Sequence, residues 1–244
     1  MAVCVLVHGA WHGGWCWEKL QPLLEQAGHR TVAPDLPGSG RDPTPAAEVT
    51  LDRYVEAVVA VIEAQQQPVV LVGHSLAGLT ITPVAEAVPD RLRALVYLTA
   101  QLLPEGQSLL DWRAGKPPTL ISQNRVMSDD GLTSTIRPEA LVEIFYGGCD
   151  PADAEAAVAR LRPQAMAPST VPMRCSAERY GRVPRYYIEC LQDKAIPIDD
   201  QRDMQAATPC RRVFTLDSDH SPFLSMPQRL AACIDEIARA EGGA

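Results

Sequence analysis

Apolar residues recur along this chain in two alternating rhythms. Ala2–Val7 (AVCVLV) and the VVLV run of Val69–Val72, introduced by Pro68, are unbroken apolar stretches, the pattern of strands buried on both faces. Arg30–Ala33, Leu92–Leu98, Pro184–Leu191 and Arg212–Leu216 extend the set of predicted strands. Between them apolar positions fall at helical spacing. A short helix over Glu18–Ala27 is closed by Gly28; Thr50 can cap a helix carrying Leu51, Tyr54, Val55, Val58, Val59 and Ile62 on one stripe. Further helices are predicted from Ser75 to about Val88, near Ile198–Ala206, and from Ser225, where Ser225 and Gln228 have capping-box spacing ahead of Leu230, Cys233, Ile234 and Ile237. Alternation of this kind predicts an α/β fold: a mostly parallel sheet covered by helices on both faces, with right-handed crossovers.

The rhythm breaks after Ala100. Residues 101–182 are rich in Pro and Gly, with a predicted hairpin over Leu120–Ile136 around Asp129-Asp130-Gly131 and helices over Pro138–Phe145 and Pro151–Leu161. A stretch with its own small elements is too structured for a loop. The expected organisation is a core of residues 1–100 and 183–244 with a cap inserted at 101–182.

Composition narrows the function classes. Hydrophobic residues make up 46% of the 244 and charged residues 21%, which suits a packed globular chain. Lys+Arg 22 against Asp+Glu 30 gives a net charge of −8 with no dense basic stretch, so nucleic acid and anionic membranes are poor partners. No apolar run approaches the roughly 18 residues a membrane helix needs. The N-terminus has no basic leader-like region, and the seven cysteines are scattered without a CxxC pair, which fits free thiols in a reducing cytoplasm. A second copy of the chain is the one protein partner the sequence leaves open.

The sharpest chemical signal is Val69-Val70-Leu71-Val72-Gly73-His74-Ser75-Leu76-Ala77-Gly78. A Ser among small residues between a buried strand and a helix reads as a nucleophile elbow, with Ala77 where a second Gly is usual and Gly78 following. A Ser hydroxyl needs a base. Of five histidines, His29 reads as a solvated surface residue and His74 points away from its neighbour Ser75. His8 and His12 lie in a Gly-rich loop without the helix or the Glu of a zinc site. His220 remains, in the loop between the last strand and the last helix. The order Ser…acid…His calls for a carboxylate between the two, and Asp193, just after the preceding strand, fits better than its rivals: Asp199 and Asp200 already enter the next helix, and Asp217 and Asp219 are too near His220 in sequence. The backbone N–H groups of Leu76 and Ala10 are the candidate oxyanion donors. Trp11, Trp112, Phe145 and Tyr146 are candidates to line an apolar pocket over Ser75.

With these residues in place, the chain resembles the α/β-hydrolase superfamily, in the branch of plant methylesterases, hydroxynitrile lyases and bacterial pyrethroid-hydrolase-like esterases. The resemblance rests on VLVHGAWHGGWCW at 5–17, APDLPGSG at 33–40, LVGHSLAGL at 71–79, DKAIP at 193–197 and DHSPFLSMP at 219–227. It covers the core; the cap matches only in layout. It implies Ser75 as nucleophile, His220 as base, Asp193 as acid, Ala10 and Leu76 as oxyanion donors, and no cofactor. Lyases of this branch carry a hydroxylated residue where this chain has Gly9 and a Lys where it has Ser221. Both departures point to an esterase acting on a small to medium, largely apolar ester, with Gly9 leaving room beside the nucleophile. The same triad would also serve a lactonase, thioesterase or cyclase, or persist in a slow-turnover ligand receptor.

Overall fold

The computed structural model of the protein describes residues 1–242. The chain runs through β1 (Val3–Val7), α1 (Gln21–Gln26), β2 (Arg30–Val32), α2 (Leu51–Glu63), β3 (Val69–His74), α3 (Gly78–Ala87) and β4 (Leu92–Leu98). There follow α4 (Leu109–Arg113), α5 (Leu120–Asn124), β5 (Arg125–Met127), β6 (Thr133–Ile136), α6 (Leu141–Phe145), α7 (Pro151–Val158) and β7 (Gln164–Ala165). The last elements are β8 (Arg185–Cys190), α8 (Ile198–Ala207), β9 (Arg212–Leu216), α9 (Pro222–Ser225) and α10 (Pro227–Ala240). Six strands form one sheet in the order β2-β1-β3-β4-β8-β9, every neighbouring pair parallel. Strands β5, β6 and β7 form a separate antiparallel sheet.

Both faces of the main sheet are covered, which is why its inner strands show no polar alternation. Val3, Val5 and Val7 of β1 pack with Tyr54, Val58 and Ile62 of α2 and with Ile81 and Val84 of α3. Cys4 and Leu6, one residue out of step, pack with Leu24 of α1 and with Leu230, Ile234 and Ile237 of α10. The Thr50 hydroxyl accepts the Arg53 N–H and so caps α2 as predicted. All seven cysteines are free thiols. Among the described residues no helix is long and apolar enough to cross a membrane.

Four local expectations are corrected. The predicted hairpin over Leu120–Ile136 begins with a helix, because the Thr119 hydroxyl accepts the Ser122 N–H and caps α5. Only Arg125–Ile136 is hairpin, turning at Gly131 (φ +71°). Helix α1 starts at Gln21 rather than Glu18, since residues 14–17 form a separate 3-10 turn. Ser225 caps nothing: α10 starts at Pro227, a residue with no N–H to leave unpaired, and the Ser225 hydroxyl donates to Asp219 instead. His29 is buried, not solvated; its Nδ1 accepts the Ala2 N–H and its Nε2 meets Asp235 at 2.7 Å, tying α10 to the first strand.

Candidate active site

In the main sheet β1 lies between β2 and β3, so the chain's progress across the sheet reverses there, and a crevice opens beyond the strand ends. Two loops enter it: His8-Gly9-Ala10 after β1, and Ser75 after β3. Ser75 has φ +55°, a left-handed conformation that costs energy for a residue with a side chain. The surrounding contacts hold it. Its carbonyl accepts the Gln101 N–H at 3.0 Å, and a Cβ on Gly78 would stand 2.0 Å from the Gln101 carbonyl oxygen. The steric demand of the turn after Ser75 therefore falls on Gly78, which is why Ala77 is tolerated where a glycine is usual.

Gly9 does not leave room beside Ser75. A Cβ there would lie 2.8 Å from the Ser75 Cβ and 2.9 Å from His74 Nδ1, so the glycine lets two backbones touch. His8 sets the orientation of this loop. Its Nε2 accepts the Leu36 N–H at 3.1 Å, which leaves the proton on Nδ1 to bind the Gly9 carbonyl at 2.8 Å. In a trans peptide the carbonyl and the following N–H point in opposite directions, so gripping the Gly9 oxygen also fixes the Ala10 N–H. His12 repeats the device one peptide on: Nδ1–H donates to the Ala10 carbonyl and Nε2 accepts from Tyr146, both at 2.7 Å. Burial pushes the His12 pKa down to about 3 and lowers that of His8, so both rings stay neutral. With every ring nitrogen engaged, neither is free to ligate a metal. Among the described residues the N–H groups of Ala10 and Leu76 have no protein acceptor, and both residues line the cavity onto which Ser75 opens.

His220 and Asp193 come together on the opposite side. His220 Nδ1 and Asp193 Oδ2 are 2.6 Å apart, and the Asp193 side chain is fully buried. Asp193 Oδ1 accepts the N–H groups of Ala195 (2.6 Å) and Ile196 (2.9 Å), and the Thr99 hydroxyl donates to Oδ2. The carboxylate is therefore held by four donors. His74 points away from Ser75 and its Nε2–H donates to the His220 carbonyl at 2.8 Å, with the two rings 4.5 Å apart. Burial pushes the His74 pKa well below its ordinary value. Asp219 braces the same loop, accepting from the Ser221 N–H, the Ser225 hydroxyl and the Gly148 N–H. Among the described residues no hydrogen bond joins His220 to Ser75; Nε2 of the ring has no protein partner. The rival carboxylates are occupied elsewhere or exposed: Asp200 by Arg113 and Lys116, Asp217 by Gln192, and Asp199 on the surface of α8.

A cavity of about 290 Å³ lies over Ser75. Trp11 and Trp112 line it, as the sequence suggests, but Phe145 and Tyr146 do not. Both are 1% exposed and pack behind Trp11, where Phe145 faces the His12 and His220 rings and the Tyr146 hydroxyl is spent on His12. The wall is also less apolar than expected, since Arg113, Lys116 and Arg125 stand in it. Sequence reasoning missed the positioning parts played by His8, His12, Thr99 and Asp219. Only His8 carried a local signal, its place beside the glycine of the β1 loop.

Comparison with known proteins places this geometry in context. A family model described as the alpha/beta hydrolase family matches residues 4–233. Methylesterase 1 of Arabidopsis thaliana is 33% identical over 96% of this chain and 95% of its own length. An alpha-hydroxynitrile lyase of the same plant is 34% identical over 96% of each chain. The crystal structure of a pyrethroid hydrolase from Sphingobium faniae JZ-2 superposes with a TM-score of 0.89 at 32% identity, covering 100% of this chain and 99% of that one. The parallel six-stranded sheet, the strained Ser75 turn and these matches agree: the chain belongs to the alpha/beta hydrolase family.

Proposed function

We propose that this protein is a serine carboxylesterase that works through an acyl-enzyme on Ser75. The observation that carries the reading is the strained Ser75 turn, set at the floor of a cavity between two free backbone N–H groups and a buried Asp193–His220 pair. His220 takes the Ser75 proton at Nε2 as the hydroxyl oxygen attacks the ester carbonyl. Asp193 keeps the other ring proton on Nδ1 and stabilises the imidazolium. The N–H groups of Ala10 and Leu76 receive the oxyanion of the tetrahedral intermediate. Collapse breaks the C–O bond, with His220 returning its proton to the leaving alcohol. A water deprotonated by His220 then releases the acid and restores Ser75.

Residues 101–182 act as a cap that closes the cavity over Ser75. The cavity volume suits a small to medium ester. Esterase is favoured over hydroxynitrile lyase, despite the lyase among the relatives, because Ser221 is fully buried and places no cation after His220. A lactone or thioester would meet the same groups.

The test is hydrolysis of a panel of p-nitrophenyl and methyl esters by wild type and Ser75→Ala. Steady turnover that falls at least about a thousandfold in the variant is expected. Turnover that survives the substitution would overturn the mechanism.

A further inference from the structure

Three residues lining the cavity over Ser75 have a buried side-chain atom without a hydrogen-bond partner among the described residues: Trp112 at Nε1, Arg125 at Nε and Ser134 at its hydroxyl. Arg125, the first residue of β5, has no ion pair and no side-chain hydrogen bond among the described residues, and its Nε is buried without a partner. The Ser134 hydroxyl on β6 is also buried without a partner, in a residue 1% exposed. In the β5–β6 register Arg125 faces Ile136, and Ser134 lies two residues along the same face, so both side chains belong to one side of the hairpin. Both residues line the cavity.

Native structures pair most buried polar groups. The Arg125 guanidinium, buried at Nε, has no acceptor on any of its nitrogens among the described residues, and the Ser134 hydroxyl has no partner either. The other two cations in the wall obey the rule: Arg113 and Lys116 both bind Asp200, and Lys116 also binds Asp203. Burial alone lowers the Arg125 pKa, and no carboxylate lies near enough to offset it. In a chain of net charge −8, Arg113 and Lys116 are offset by Asp200 and Asp203, and among the described residues Arg125 remains as the unpaired cation in the wall of this cavity. Its charge draws an anion in. A single planar guanidinium with a hydroxyl beside it matches one carboxylate, which accepts two parallel N–H bonds and a third donor.

Resting on the esterase reading, we propose that Arg125, assisted by Ser134, binds a free carboxylate of the substrate. The physiological ester then carries a second, ionised carboxyl group, as in a half-ester of a dicarboxylic acid, rather than being apolar throughout.

The test uses a ladder of monomethyl half-esters from succinate to azelate, each beside the methyl ester of the monocarboxylic acid of equal chain length. Wild type prefers the half-ester at one or more lengths. In Arg125→Met the ratio of kcat/KM for half-ester over neutral ester falls at least about tenfold, through KM, and Arg125→Lys keeps part of the preference. A separate titration needs no turnover: the dicarboxylates of the same ladder bind Ser75→Ala protein, and binding is lost in Ser75→Ala/Arg125→Gln. Neutral esters hydrolysed in a Ser75-dependent way, with no half-ester preference and no dicarboxylate binding, would overturn the Arg125 proposal and leave the esterase reading standing. Dicarboxylate binding that needs Arg125, without hydrolysis of any ester, would do the reverse.

Discussion

The residues that brace Ser75 and His220 from the sheet side and the two residues that β5 and β6 put into the cavity wall differ in how their polar groups are satisfied. On the sheet side, Asp193 is held by four donors, His8 and His12 each by two partners, and Asp219 by at least three. On the side of the small antiparallel sheet, the Arg125 guanidinium and the Ser134 hydroxyl have none. A group that must keep one position through every turnover is best fixed by the protein itself. A group whose partner arrives with the substrate must be left open until then. The contrast separates residues expected to govern kcat from residues expected to govern KM.

Substitutions on the sheet side should produce the largest effects. Asp193→Asn removes the charge that stabilises the His220 imidazolium, and kcat/KM should fall roughly 10³- to 10⁴-fold with the fold intact by circular dichroism. His8→Gln loosens the grip on the Gly9 carbonyl and hence the Ala10 N–H. It should lower kcat by about 10- to 100-fold with little change in KM, and an equal loss carried wholly by KM would break the comparison.

Acid sensitivity comes next in size. His8, His12 and His74 have pKa values lowered by burial, to about 3 for His12. Each ring takes up a proton on unfolding wherever the pH lies below its ordinary value of 6.5 and above its folded value. Their contribution to stability is therefore complete above that ordinary value and declines as pH falls, by about 1.4 kcal/mol per pH unit for each ring. Denaturant titrations between pH 7 and pH 4 should show a shallower decline in His12→Gln than in wild type. The smallest effect belongs to the wall residues of β5 and β6. Ser134→Ala deletes a hydroxyl that binds nothing in the protein, so stability should stay level or rise by less than about 1 kcal/mol. A marked loss of stability would show that the wall is as internally satisfied as the sheet side.

The same division explains what could be read before the structure. Strands β1 and β3 are legible because burial on both faces leaves Val3–Val7 and Val69–Val72 wholly apolar, while β4 and β8 stay mostly apolar around Arg93 and Glu189. The order Ser75, Asp193, His220 was legible because each follows a strand of that sheet. Reading failed where residues distant in sequence satisfy one another. His29 looked solvated because nothing near it in sequence foretells Asp235 of α10. Phe145 and Tyr146 looked like pocket residues because an aromatic side chain has the same composition signal in a wall and behind it. Arg125 carried no signal at all, since an arginine on a short strand is ordinarily solvated, and its significance lies in the partners it lacks.

The most direct test of the central claim is labelling with a fluorophosphonate, which forms a stable adduct with an activated serine. Intact-mass and peptide analysis should find one adduct per chain, on Ser75, appearing in step with the loss of esterase activity and absent from His220→Ala. Inactivation with the label on another residue, or full activity after Ser75 is labelled, would contradict the account.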